Sequence, residues 1–293
     1  MIYDAISIIH GLFVSDVLVI LGFSGFLAFP FKVFFKKRIV SNIGGIEWQK
    51  VRGEKIFSGI EVVAKKWFER VCVYFSDVVI VDNQVLWDYI KKTYNIDSVL
   101  VEYGGDHAIS SELTHQLKEK YSFLKVPYDL TISRAQEDMN IHILLDAYEK
   151  FGKRNLVVVS NWEISDYGIE LKKKYLNKYR NIFIQDAIYD LSELNAIRSN
   201  ALLYIHSHSL CGTAPSLVEA MSLGLPVISF DVATNRATTE NDSNYFSDAN
   251  SLIKILNNLD EISLKSLSKK MKEIAERRYK WSRITGLYRD QIK

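Results

Sequence analysis

Residues 201–231 read Ala-Leu-Leu-Tyr-Ile-His-Ser-His-Ser-Leu-Cys-Gly-Thr-Ala-Pro-Ser-Leu-Val-Glu-Ala-Met-Ser-Leu-Gly-Leu-Pro-Val-Ile-Ser-Phe-Asp. The first apolar run ends in small and polar residues, and Pro215 then marks the first turn of a helix that stops at Gly224. A second apolar run begins at Pro226. Strand, helix and strand in this order predict a βαβ unit of a parallel sheet, and therefore an α/β fold. In such sheets, ligands bind beyond the carboxyl ends of the strands.

The start of the predicted helix combines groups that suit a phosphate or diphosphate. Gly212, Thr213 and Ser216 offer backbone N–H groups, hydroxyls and the positive end of a helix dipole. Glu219 follows closely enough to accept hydrogen bonds from sugar hydroxyls beside the phosphates. However, the spacing from Ser216 to Glu219 is also that of a capping box, in which the glutamate only satisfies a backbone N–H. The spacing alone leaves both interpretations open.

The wider string from His206 to Val227 resembles the donor-binding segment of retaining glycosyltransferases of family four. It is most similar to bacterial polysaccharide rhamnosyltransferases, whose pattern is Gly-Gly-Thr-Asn-Pro-Ser-Leu-Xaa-Glu-Ala-Met. Glu219 matches the second of two glutamates in the broader family, and Cys211 stands where that family has the first and the rhamnosyltransferases usually have glycine. The resemblance implies two Rossmann-like domains of the GT-B type, with the nucleotide sugar held by the C-terminal one.

The resemblance also implies an activity. It is retaining transfer of a sugar, rhamnose from dTDP-rhamnose or a sugar from a UDP-sugar, to a surface polysaccharide or lipid-linked saccharide acceptor. The donor is the only small molecule implied, without a cofactor or metal, and we expect the protein to act in the cytoplasm. Retaining members are thought to react on the front face of the sugar, so that no carboxylate nucleophile is required.

Other segments of the C-terminal half resemble the same family. Arg134 falls on the arginine of its Ala-Arg-Xaa-Xaa-Pro-Glu-Asn-Asn segment, and a guanidinium can bind a diphosphate bidentately, although an arginine at a strand end is often only a solvated charge. Asn140 takes the place of a lysine found in most of the superfamily. Residues 186–190 are similar to a segment of the family near the base of the donor. Residues 231–236 are similar to a segment of the family at the cleft. The donor-binding residues implied are Gly212, Thr213, Ser216, Leu217, Glu219, Arg134, Asn140, Tyr189, Asn235 and Arg236, of which Glu219 and Arg134 are implied to be catalytic.

Two turns in the N-terminal half are candidates for the acceptor side. Glu47 and Trp48 follow a predicted strand over 38–43 and resemble the Asp-Gly-Leu-Glu-Trp-Lys-Arg segment of the rhamnosyltransferases, although a surface turn with a buried Trp48 has the same pattern. Asp106 and His107 belong to a turn that resembles the Tyr-Gly-Ala-Asp turn at the end of the family's first domain. We expect them to face the interdomain cleft, but an Asp-His pair is also typical of a turn whose side chains only hydrogen-bond within the protein.

The length of 293 residues and the hydrophobic fraction of 48% are sufficient for two domains. We predict an acceptor-side domain over 1–109, a nucleotide-sugar domain over 110–280 and a helix over 281–293 that returns to the first domain. The chain does not match the strand and glycine-rich loop with which family members begin, so the N-terminal domain is expected to be incomplete. The alternative functions are a non-catalytic sugar-nucleotide-binding subunit or fragment that needs a partner, and a sugar-nucleotide epimerase of the same fold.

Charge and cysteine content narrow the remaining possibilities. A net charge of +2 gives no indication of nucleic-acid binding. Cys72 and Cys211 lack a Cys-x-x-Cys spacing, which indicates a reducing cytoplasm without a disulfide or zinc site. His206 and His208 project the same way from one strand, as metal ligands could, but we expect no further ligand beside them and therefore no metal.

Two apolar segments complete the analysis. Residues 26–38 mix aromatic residues with a basic end, which is typical both of a helix packed on the sheet and of a helix on a membrane surface. The sequence therefore allows peripheral contact with the inner membrane. A membrane-spanning helix is not expected, since the uncharged run 17–31 is too short to cross a bilayer. Residues 60–75 have helical periodicity, and it predicts that Val62, Val63, Trp67 and Val71 face the core.

Overall fold

The computed structural model describes residues 2–28, 32, 34–46 and 59–293. Two sheets, each with only parallel pairings, account for the strands in these ranges. The first sheet has the order β1-β2-β3-β4 and consists of β1 (Val17–Leu21), β2 (Arg38–Ile43), β3 (Val78–Val81) and β4 (Val99–Leu100). The second has the order β10-β9-β8-β5-β6-β7 and consists of β5 (Asp129–Ile132), β6 (Leu156–Ser160), β7 (Ile182–Asp186), β8 (Leu203–His206), β9 (Val227–Phe230) and β10 (Asn244–Phe246).

The α-helices of the described ranges surround these sheets. In chain order they are α1 (Ile2–Val14), α2 (Gly59–Phe75), α3 (Gln84–Tyr94), α4 (His115–Lys120), α5 (Ile141–Phe151), α6 (Asp166–Tyr175), α7 (Leu191–Ser199), α8 (Pro215–Ser222), α9 (Ala233–Thr238), α10 (Ala249–Asn258), α11 (Glu261–Arg278) and α12 (Trp281–Ile292). Among the described residues, none of the helices combines the length and the apolar character that crossing a membrane requires. The two parallel sheets confirm the predicted α/β fold.

Alternating side chains of the first sheet pack against helices on opposite faces, as the period of two in a strand requires. Ile43 and Val79 pack with α2 and α3 on one face. Val40 and Ile80 pack on the other face with Ile284 of α12. The last helix therefore lies against the first sheet, although the two helices that precede it, α10 and α11, pack against the second.

The prediction of which α2 residues face the core is wrong for Val63 and Trp67, whereas Val62 and Val71 are half-buried. Val63 and Trp67 are 67% and 57% exposed, whereas Glu69 is fully buried. The Glu69 carboxylate accepts hydrogen bonds of 2.5 Å from the hydroxyls of Tyr89 and Tyr94. Cys72 and Val73 are buried beside it, so the core-facing side of α2 combines one hydrogen-bonded carboxylate with two apolar side chains. Periodicity located an apolar stripe but could not indicate which side the protein covers.

The strand order of the second sheet determines where a ligand can bind. The chain leaves β5 toward β6 and β7, and then returns to place β8 on the other side of β5. The connections after β5 and β8 therefore diverge and leave a crevice at the carboxyl end of the sheet, which is the usual ligand position in such folds. The carboxyl ends of the first sheet's strands lie opposite this crevice, since Gly44 after β2 and Asp82 after β3 line the same cavity.

Candidate functional site

A cavity of about 520 Å³ lies between the carboxyl ends of the two sheets. The first sheet contributes three lining residues, Gly44, Asp82 and Tyr103. The second sheet contributes the ends of four strands, with Ile132–Arg134, Val159–Asn161, Ala187–Tyr189, His208 and Leu210–Ser216 among its lining residues. We call this cavity the cleft. Predicted donor-side residues Arg134, Tyr189, Gly212, Thr213 and Ser216 all lie in its wall.

The start of α8 forms one side of the cleft. Its N-cap is Ala214, whose side chain makes no capping hydrogen bond, and Pro215 occupies the first turn. Ser216 is thus inside the helix, and the capping-box interpretation of Ser216 and Glu219 is wrong. Because no side chain caps this helix, the positive end of its dipole is available to an anion in the cleft.

Arg134 follows β5, the strand from which the chain connections diverge to the two sides of the sheet. It brings a cation to the same cavity. Its side chain is exposed to the cleft and forms no ion pair with any residue in the described ranges. Tyr189, which follows β7, also lines the cleft, and most of its side chain is exposed. A guanidinium and an uncapped helix start on one cavity can share the charge of a diphosphate, while an exposed ring can stack on a base or a sugar.

Gly212 and Thr213 lie against the end of β3 and so join the two halves of the molecule. A Cβ atom placed on Gly212 would lie 2.0 Å from Oδ1 of Asp82, so only glycine fits at this position. The Thr213 hydroxyl donates to the backbone carbonyl of Asp82 and accepts from the amide of Asn83 at 3.3 Å. These two predicted donor residues therefore also join the loop before α8 to the end of β3.

Five other predicted donor residues lie outside the lining of the cleft, namely Leu217, Asn140, Arg236, Asn235 and Glu219. Leu217 is completely buried in the core beneath α8. Asn140 donates from its side chain to the Ser207 carbonyl at 3.0 Å. Arg236 is paired with Asp231, with Nε 2.6 Å from Oδ1. The structure thus gives these three side chains partners within the protein.

Asn235, the fourth, is buried behind the loop that leads to α8. Its amide donates to the carbonyls of His208 and Phe230, both at 2.9 Å. Its carbonyl oxygen lies 3.9 Å from the sulfur of Cys211. Asn235 therefore joins the loop before α8 to the end of β9. Because this loop lies in front of Asn235, a donor in the cleft would contact the loop and not the Asn235 side chain.

Glu219 is held by groups from two other elements. Its Oε2 atom lies 2.7 Å from Nη2 of Arg198 on α7, and the Arg198 side chain is only 5% exposed. Its Oε1 atom lies 2.8 Å from Nε2 of His107. The glutamate is thus beside the cleft, in an ion pair, and does not project into the cavity.

The acceptor-side candidates separate into two groups. Asp106 accepts a hydrogen bond of 2.8 Å from the backbone N–H of Trp281 at the start of α12, and His107 accepts one of 2.9 Å from the Trp281 indole. This turn therefore holds α12 against α8 beside the cleft. Glu47 and Trp48 lie outside the described residues.

Residues 115–281, more than half of the chain, match the family model of glycosyl transferases group 1. The chain belongs to this family. No curated protein matches the sequence. Among solved structures, sucrose-phosphate synthase from Thermosynechococcus elongatus has a TM-score of 0.81 at 18% identity, over 98% of this chain and 76% of its own. The HepE protein of Anabaena in complex with UDP has a TM-score of 0.78 at 13% identity, over 99% of this chain and 81% of its own. These likenesses establish the GT-B fold.

The end of β8 and the loop before α8 of this group 1 glycosyltransferase contain a cluster that the sequence did not predict. His206, His208 and Cys211 offer ligand atoms that all lie within 4.8 Å of one another. The expectation that no further ligand lies beside the histidines is wrong, because the turn after β8 brings Cys211 back to them. Burial lowers the pKa of His206 well below its usual value. Burial and the nearby Arg134 guanidinium lower the pKa of His208 to about 3.

Sequence reasoning missed two residues of the glycosyltransferase site. Asp82 is almost fully buried and lines the cleft opposite Gly212. Its position directly after a buried strand was a usable signal, since residues at that end of parallel strands face the ligand. Arg198 near the end of α7 gave no such signal, because its partner Glu219 belongs to another helix and the pairing depends on how α7 and α8 pack.

Proposed function

We propose that this glycosyltransferase moves a sugar from a nucleoside diphosphate sugar to a saccharide or lipid-linked acceptor, and that the donor binds in the second-sheet wall of the cleft. One observation carries the proposal: the uncapped start of α8 and the guanidinium of Arg134 line the same cavity at the switch point of the second sheet. The two together fit a diphosphate. Tyr189, which follows β7 in the same wall, is available to the base.

The proposed reaction is retaining. The acceptor oxygen forms a bond to the anomeric carbon while the bond from that carbon to the diphosphate oxygen breaks, and the leaving diphosphate takes up the proton of the acceptor hydroxyl. The protein then has to position both substrates and stabilise negative charge on the diphosphate. Arg134 and the start of α8 would do the second. No carboxylate nucleophile takes part.

The first-sheet wall of the cleft would receive the acceptor. Asp82 and Tyr103 line it, and burial raises the pKa of the Tyr103 hydroxyl, so this group stays protonated and can donate a hydrogen bond. A carboxylate and a phenol suit the hydroxyl groups of a saccharide. We place the reaction in the cytoplasm, with rhamnose from dTDP-rhamnose as the first donor to test and a UDP-sugar as the second. Peripheral contact with the cytoplasmic face of the inner membrane belongs to the same proposal.

Titration calorimetry with UDP, dTDP and dTDP-rhamnose tests the donor site. We expect one of them to bind the wild-type protein, and Arg134→Ala to weaken binding tenfold or more, because a hydrogen bond to a charged group contributes roughly 1.5–3 kcal/mol. Arg236→Ala is the matched control, since Asp231 already holds that guanidinium outside the cleft. Equal losses in the two variants would show that Arg134 does not contact the diphosphate, and absence of binding to any nucleotide would overturn the proposal.

A second measurement separates an enzyme from a binding subunit. The donor that binds is incubated with the protein and lipid-linked saccharide acceptors, and release of the nucleoside diphosphate is followed. An active transferase releases it only when an acceptor is present. Tight donor binding with no release in the presence of any acceptor would favour the non-catalytic alternative.

A further inference from the structure

The cluster of His206, His208 and Cys211 has no role in the proposed reaction. His206 is 1% exposed, and neither of its ring nitrogens has a hydrogen-bond partner among the described residues. The same holds for Nε2 of His208. A buried polar atom without a partner costs roughly 1–3 kcal/mol, so a protein that keeps three of them in one place has a reason to do so. A bound cation would supply the missing partner.

The geometry of the three side chains fits a small cation. A zinc ion lies about 2.0–2.1 Å from a histidine nitrogen and about 2.3 Å from a cysteine sulfur, so ligand atoms around it are roughly 3.3–3.8 Å apart. The three candidate atoms lie within 4.8 Å of one another, and the two imidazole rings have their centroids 4.1 Å apart. Side-chain movements of about 1 Å would therefore complete the coordination.

We propose that His206, His208 and Cys211 form a zinc-binding site in the wall of the cleft. Two imidazoles and one thiolate are the donor set that zinc prefers over magnesium or calcium. Binding requires a neutral imidazole from each histidine and the loss of one proton from the Cys211 thiol, and the thiolate offsets part of the ion's charge beside Arg134. Asn235, which holds both the His208 carbonyl and the region of Cys211, is the residue that keeps the ligands in register.

Three protein ligands leave a fourth coordination position, and its direction follows from the lining of the cleft. His208 and Cys211 line the cavity, whereas His206 lies behind them in the protein. The open position therefore faces the cleft. If the donor diphosphate binds there, one of its oxygens could become the fourth ligand, and this last step rests on the proposed function.

The test is zinc binding to the full-length protein, prepared without a histidine tag and stripped with a chelator. Zinc is titrated against a chromophoric chelator, and proton release is measured in parallel. We expect about one zinc ion and about one released proton per chain. Cys211→Ser and His208→Gln should each weaken binding at least about tenfold. Cys72→Ser and His115→Gln are the matched controls and should bind zinc as the wild type does. Cobalt should give a thiolate charge-transfer band in the wild type and the controls but not in Cys211→Ser.

Two results would overturn the site. One is the absence of stoichiometric zinc binding, and the other is binding that Cys211→Ser and His208→Gln leave unchanged. Circular dichroism during thermal unfolding, in the presence of chelator, shows whether each variant is folded. If His208→Gln does not fold, Cys211→Ser, at a partly exposed position, still provides the test. Nucleotide binding is measured separately with chelator present. Nucleotide binding without a zinc site would reject this inference and leave the proposed function intact.

Discussion

Nε2 of His107 and Oε1 of Glu219 lie 2.8 Å apart, although 112 positions separate the two residues in the chain. Since Nδ1 of His107 accepts the indole N–H of Trp281, the proton of a neutral His107 ring is on Nε2 and is donated to the glutamate. The other oxygen of Glu219 is paired with Arg198. Glu219 therefore connects α7, α8 and the start of α12 beside the cleft.

The two contacts of Glu219 should differ in their effect on stability. Glu219→Ala removes the partner of the buried Arg198 cation, so we expect it to lower the free energy of unfolding by about 3 kcal/mol. His107→Ala removes a contact of a half-exposed ring, for which less than about 1 kcal/mol is expected. Urea unfolding curves measure both. Similar losses in the two variants would show that Arg198 does not depend on Glu219.

The contact between Gly212 and Asp82 should tolerate no side chain. A Cβ atom at Gly212 would lie 2.0 Å from Oδ1 and 2.7 Å from Cγ of Asp82. Gly212→Ala must therefore separate the two walls of the cleft. We expect a loss of nucleotide affinity of tenfold or more by calorimetry, and an unfolding free energy lower by about 1–3 kcal/mol.

Gly286→Ala in α12 is the control for that variant. A Cβ atom there meets no atom within 4 Å, and alanine is favoured over glycine inside a helix by roughly 0.5–1 kcal/mol. Gly286→Ala should therefore stabilise the protein and leave nucleotide binding unchanged. If Gly212→Ala behaved in the same way, the walls of the cleft would not be in contact in solution.

Adjacent arginines at the end of α11 offer a second matched pair. Arg278 is mostly buried and joins Glu102, beyond β4, to Glu240 and to the Ala237 carbonyl of the second domain. Arg278→Ala leaves Glu102 buried without this partner, so we expect a loss of about 3 kcal/mol in the free energy of unfolding. Arg277 pairs with Glu240 while 61% exposed, and Arg277→Ala should cost less than about 1 kcal/mol. Chemical denaturation that gave equal losses would contradict the role of Arg278 in joining the domains.

The buried histidines predict a pH dependence of stability for the protein held in chelator. In the unfolded chain each takes up a proton near its ordinary pKa of about 6.5, whereas in the folded chain burial lowers the pKa of His208 to about 3 and that of His206 well below its usual value. The unfolded state therefore binds more protons below pH 6.5, and stability must fall as the pH falls. The expected slope is about 1.4 kcal/mol per pH unit for each histidine.

Urea unfolding at a series of pH values between 7 and 5 measures that slope. His208→Gln should reduce the slope by the contribution of one histidine, about 1.4 kcal/mol per pH unit. His115→Gln, at an exposed position, should leave the slope unchanged. Arg134 is the cation that faces His208, so Arg134→Ala should allow His208 to take up its proton at a higher pH. An unchanged slope in His208→Gln would mean that this ring is protonated in the folded state.

Local features of the site could be predicted from the sequence because neighbouring residues decide them. Pro215 and Gly224 mark the two ends of α8, and Gly224 has the positive φ of 75° that stops a helix. The apolar runs before 206 and after 226, on either side of this helix, predicted the βαβ unit, which β8, α8 and β9 confirm. The same local reasoning predicted Arg134 and Ser216 in the wall of the cleft, since both follow the carboxyl end of a parallel strand.

Tertiary structure alone decided which residues meet. The strand order that places β8 beside β5 brings Arg134 and α8 to one cavity, and no pattern within either segment contains that order. The pairs Glu219 with Arg198 and Gly212 with Asp82 join residues far apart in the chain. The burial of Glu69 on α2 likewise depends on its hydrogen bonds from Tyr89 and Tyr94 of α3. Periodicity and capping act over a turn or two of chain, so they determine elements and their ends. Burial, ion pairing and ligand geometry depend on how those elements pack, and they were fixed only when both sheets and their helices came together.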